Sequence, residues 1–138
     1  MKSLPDTLHE LLELALHDFD LVLEDPAYRI SMGTWHDLPP AAGTCYVCLA
    51  GAVMAKSMGL PRELRGSAYL DGSPLDVHRK LVALDHLRTG DVGKALFRMS
   101  GSNLRGEPDF AVTDWDTDHA QWRADMDDLL VYLKEKNL

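Results

Sequence analysis

The chain lacks any apolar run approaching the about 18–20 residues that span a bilayer, so nothing in it reads as a membrane helix. Its two cysteines are too few for a disulfide scaffold. It has no Gly-x-x-x-x-Gly-Lys loop, no Gly-x-Gly-x-x-Gly and no Gly-x-Ser-x-Gly. The common signatures of nucleotide binding and of serine hydrolysis are therefore missing. No second Cys-x-x-Cys and no His-x-x-x-His is present to complete a zinc site in the usual way. Asp6, Glu10 and Glu13 follow Lys2 closely, unlike a secretory signal, and a cytoplasmic location is expected. Repeats, linkers and low-complexity stretches are absent as well. A length of 138 residues, 46% of them hydrophobic, leads us to expect one globular domain over residues 1–138.

Positive charge is also scarce, with 14 Lys and Arg against 22 Asp and Glu. The deficit is uneven. Residues 1–55 carry 2 basic and 8 acidic side chains, 56–100 carry 8 and 5, and 101–138 carry 4 and 9. Acidic ends around a mildly basic middle argue against a dedicated nucleic-acid binder. They suit docking to a basic protein partner, or simple solubility.

What is present is mostly helical pattern. Leu8, Leu11, Leu12, Ala15, Leu16, Phe19, Val22 and Leu23 recur at threes and fours over 6–24, with Ser3 or Asp6 as the expected cap and Asp18 off the stripe. Asp25-Pro26 ends that helix. Tyr28, Ile30 and Met32 alternate with polar neighbours, as in a short strand, and Pro39 to Gly43 reads as a turn. A central apolar helix is expected at about 45–58, with Gly59 as its C-cap and Pro61 beyond. Its small residues Ala50, Gly51, Ala52 and Ala55 suit close approach of a neighbouring backbone. Residues 62–74 read as a connector, with Ser73 and Pro74 opening a helix to 88. A short helix follows through Val92–Met99, then a loop at 100–103 and an irregular stretch at 103–117. Phe110–Val112 is the segment expected to pair with 28–34. Asp116 or Thr117 is expected to cap a last helix at 117–136. The expected fold is mainly α: four to five helices around the central one, with at most two extended segments.

Cys45-x-x-Cys48, expected at the start of the central helix, is the sharpest chemical feature. A helix N-terminus stabilises a thiolate, which is how a redox or nucleophilic cysteine arises. With His36 the pair forms three nominees for a zinc site (Cys45, Cys48, His36). Cys45 with His78 or His119, and Asp114 or Asp116 behind, satisfies the residue types of a cysteine hydrolase. Against these stands burial, since cysteine is among the most buried residue types. No cofactor is expected, with zinc the alternative. Asp114-x-Asp116-x-Asp118 has the start of a calcium-loop spacing but lacks its glycine. His78-Arg79-Lys80, Arg88, Lys94 and Arg98 could form a basic face.

Tyr28-Arg29-Ile30-Ser31-Met32-Gly33-Thr34-Trp35, the acidic first helix and Cys45–Ala55 together resemble a group of small uncharacterised proteins encoded by phages and prophages. The likeness covers about residues 5–60. It implies an accessory protein acting on a host factor and supplies no catalytic residues. The expected function is thus a small acidic, non-enzymatic interaction protein, with Glu10, Glu13, Asp125 and Asp128 as partner-binding residues. A cysteine- or zinc-dependent module is the alternative, and a nucleotide or nucleic-acid binder through the basic middle is the second. Self-association is also in keeping with long amphipathic helices.

Overall fold

A computed structural model describes residues 3–39, 43–101 and 108–138. Parts of the turn expected at 39–43, of the loop at 100–103 and of the stretch at 103–117 lie outside the described residues.

The first helix, α1, runs Leu8–Glu24 and buries the expected stripe from Leu8 to Val22, but leaves its last member, Leu23, exposed. Its cap is Thr7, not Ser3 or Asp6. The Thr7 hydroxyl accepts from the Glu10 amide and donates to the Glu10 carboxylate, a reciprocal arrangement that satisfies free amide groups at a helix start. Asp6 instead pairs with Lys80 at 2.8 Å. Asp18 is also not where its polarity suggests. It follows Leu11 by two turns and precedes Val22 by one, which puts it on the buried face, and it is 3% exposed.

Three short strands follow: β1 Tyr28–Ile30, β2 His36–Asp37 and β3 Cys45–Val47. The order is β1-β3-β2, with β1 parallel and β2 antiparallel to β3. The sheet therefore has one strand more than expected, and β1 pairs with 45–47 rather than with 110–112. Phe110 instead donates its amide to the Gly90 carbonyl. The error has a physical root. An apolar run as short as Cys45–Leu49 has no polar residues to reveal its period, so helix and buried strand look alike. Tyr46 and Val47 favour the strand, and its burial alternates accordingly, buried, half-buried, buried.

The central helix α2 is Leu49–Ala55, shorter than the expected 45–58, and every residue in it is buried. It ends well before Gly59. It packs against α1, the sheet and α4. Gly51 explains how the sheet comes so near: a Cβ there would meet the Trp35 carbonyl oxygen at 1.6 Å. The small residue admits a backbone, as expected, but the backbone belongs to the segment leading into β2.

The connector contains another helix, α3 Gly66–Gly72. Gly66 begins it because a Cβ would lie 2.8 Å from the His36 Cβ. Ser73 closes α3, its hydroxyl donating to the Leu70 carbonyl, and does not cap the following helix. α4 covers Leu75–Leu87 and α5 Val92–Ser100, capped by Asp91. The last helix, α6, is His119–Glu135 and is capped by Asp118, not Asp116 or Thr117. The described residues thus form six helices and one small sheet, which packs against α1, α2 and α3, a mainly α fold. Phe19, Trp115 and Trp122 join α1 to α6 with ring centroids 5.0–5.3 Å apart. No helix among the described residues is long and apolar enough to cross a membrane.

Candidate functional site

The two cysteines sit in different places. Cys45 is on β3 and Cys48 caps α2, its sulfur accepting from the Gly51 amide. His36, on β2, brings Nε2 to 3.7 Å from the Cys45 sulfur. Its Nδ1 lies 2.7 Å from the Leu64 carbonyl oxygen. A carbonyl only accepts, so Nδ1 carries the ring proton and Nε2 is left to accept from the thiol. Burial pushes the Cys45 thiol up and the His36 imidazole down, and it pushes Cys48 up to about 11. Both shifts favour the neutral thiol and neutral imidazole. A reactive thiolate–imidazolium pair needs the opposite. His78 turns its Nδ1 to the Leu70 carbonyl and His119 lies flat on Trp115, so neither nominated histidine stands where His36 does. Among the described residues, no group of three or more His, Cys, Asp or Glu could hold a metal ion, and Cys45, Cys48 and His36 are not such a group.

The basic middle is largely paired. Lys80 is buried, donating to the Leu4 carbonyl and to Asp6 and Asp76. Burial pulls its pKa down, but the two carboxylates outweigh that and raise it. Arg88 pairs with Asp85 and Lys94 with Asp91.

The acidic nominees divide. Glu13 bridges to Lys134 at 2.8 Å, joining α1 to α6. Asp125 accepts from the Thr113 amide and the Gln121 side chain, and these bonds hold its carboxyl below the usual range. Glu10 is occupied by Thr7. Among the described residues no Lys or Arg forms an ion pair with Glu24, Asp116 or Asp128. Helices α1 and α6 together carry nine acidic and two basic residues. The two cations, Arg123 and Lys134, each bind an α1 carboxylate, Asp20 and Glu13. The calcium-like spacing dissolves into a turn, where Asp118 spends its carboxylate on the Gln121 amide.

Sequence reasoning missed two clefts. The first, about 550 Å³, lies between the end of α1, β1 and the start of α6. Leu23, Tyr28, Ile30 and Trp115 give it apolar walls, and Arg29, Asp116 and His119 give it polar ones. The His119 ring stacks on Trp115 at 3.9 Å, fixing the indole. Leu23 is 54% exposed beside it. The second cleft, about 490 Å³, contains Asp18 and Ser57. The helical spacing of Asp18 was the one signal for the second. The first had none, because it joins segments some ninety residues apart in the chain. Comparisons with protein-family models, with curated proteins and with solved structures found no match to this chain.

Proposed function

We propose that this protein is a non-enzymatic interaction module that captures a basic segment of another protein carrying one apolar side chain. The docking face is the end of α1, the edge strand β1 and the start of α6. The observation that carries the reading is the apolar cleft of Leu23, Tyr28, Ile30 and Trp115, set between two helices that together carry nine acidic residues against two basic ones. An aromatic anchor site supplies contact energy, and the surrounding carboxylates supply steering and register. Glu24, Asp116 and Asp128 suit that role better than Glu13 and Asp125, which already serve the fold. The phage-protein resemblance of residues 5–60 makes a host factor the fitting partner.

The other readings have less support. A cysteine or zinc module would have to work with two buried, neutral thiols. A nucleic-acid face would have to spend cations that already bind Asp6, Asp76, Asp85 and Asp91.

The test is fluorescence anisotropy with a Lys/Arg-rich peptide bearing a central leucine. Binding should weaken with added salt, with Leu→Ala in the peptide, and with Glu24→Lys plus Asp116→Lys in the protein. Absence of binding, or binding indifferent to all three changes, refutes the proposal.

A further inference from the structure

We propose that the cavity between the N-terminal segment, α1 and the end of α2 binds a small alkylammonium ion, with the Asp18 carboxylate as its counter-ion. The cavity measures about 490 Å³, within the range of small-ligand sites. Leu4, Pro5 and Leu14 form one side and Asp18, Ser57, His17 and Lys56 the other. An alkyl chain suits the first side and a cation suits the Asp18 carboxylate on the second, where Lys56 is turned to Asp25.

Among the described residues Asp18 has no lysine or arginine partner, and its one ion pair is with His17 when that ring is protonated. Asp18 is 3% exposed, and the Ser57 hydroxyl donates to Oδ2 at 2.5 Å. The His17 ring nitrogen lies 3.8 Å from Oδ1, and the Ser57 backbone amide also favours the carboxylate. Lys56 is committed elsewhere, 2.6 Å from Asp25 and over the Tyr28 ring. Among the described residues no ammonium or guanidinium pairs with Asp18. Its burial raises the carboxyl pKa, against which Ser57 and His17 act. A carboxylate kept in a cleft at this cost is a mark of a binding site. The plain alternative is a tether, with Asp18 only holding Ser57 at the end of α2. The two differ in charge: a tether needs the hydrogen bond, an ammonium site needs the anion. Among the described residues, the titratable groups facing Asp18 are His17 on its own helix and Lys56 beyond α2, and the N-terminal segment presents Ser3, Leu4 and Pro5 to the cavity.

The probe is n-butylammonium, titrated into the full chain and followed by NMR, with butyrate and 1-butanol as controls. Saturable shifts should centre on Leu14, Asp18 and Ser57, and the Asp18 carboxyl should titrate at lower pH once the amine is bound. Asp18→Asn keeps an acceptor for Ser57 and removes the charge. It should weaken binding about tenfold or more while thermal unfolding stays the same or rises. Equal binding by Asp18→Asn, or by butyrate or butanol, overturns the proposal. If Asp18→Asn does not fold, the wild-type carboxyl decides, and a midpoint unmoved by the amine overturns it. None of these outcomes depends on the peptide-docking face at Trp115.

Discussion

The carbonyl oxygen of Trp35 occupies the space a side chain on Gly51 would need, 1.6 Å from where a Cβ would sit. The helix propensity of α2 alone would favour alanine at that position by about 1 kcal/mol. The collision reverses the sign, because overpacking a filled core costs about 1–3 kcal/mol and sometimes more. Gly51→Ala should therefore destabilise the protein by about 2 kcal/mol or more, read from urea unfolding. A neutral or stabilised variant would show that β2 is not seated on α2.

The thiols should be slow. With its pKa near 11, Cys48 holds about 100-fold less thiolate at neutral pH than a free cysteine, and Cys45 is shifted the same way. A thiol reagent should find both groups only as fast as the protein opens, and both at once in denaturant. Rapid modification of Cys45 in the folded chain would revive it as a nucleophile.

Stability should fall as the solution is acidified through the histidine range. Buried His36 has its pKa lowered from the ordinary 6.5, first by burial, with the Leu64 hydrogen bond opposing. The unfolded chain then takes up a proton before the folded one does. The stabilising contribution is present above about pH 6.5 and is lost as pH falls below it. His86 is shifted in the same direction and adds to the slope. Urea titrations on either side of that pH should show a shallower dependence for His36→Gln, which cannot charge. An unchanged slope would mean that His36 is not held neutral.

Lys80 should matter more than a surface lysine. Its partners Asp6 and Asp76 are exposed and can return to water, but the hydrogen bond to the carbonyl of buried Leu4 lies inside the protein. Lys80→Met should cost about 1–2 kcal/mol, chiefly for the unsatisfied carbonyl. Amide exchange at residues 4–8 should speed up more than exchange in α6. A uniform change across the chain would argue against a local tether.

The long amphipathic helices were legible because their period repeats over many turns. Leu8 to Val22 and Trp122, Met126, Leu129 and Leu133 are buried as their spacing required, while Leu23 and Leu130, the remaining members of the two stripes, are not. Helix bounds were less legible, since Thr7 and Asp118 compete with nearby residues that could cap equally well. Segment 45–47 was misread because three apolar residues carry no period. The Trp115 cleft was invisible because its walls meet only after α6 folds back onto α1.

By itself the sequence determined the mainly helical fold, an apolar centre within about 45–58 and the concentration of acid at both ends, all properties of local pattern and composition. Tertiary structure decided the rest. It placed Cys45 against His36 and made both neutral, since burial acts on charge only once neighbours close around it. It drew Lys80 to Asp6 across more than half of the chain and paired Arg88 and Lys94 with Asp85 and Asp91. It buried Asp18 beside Ser57, giving an ordinary helix acid the surroundings of a binding group.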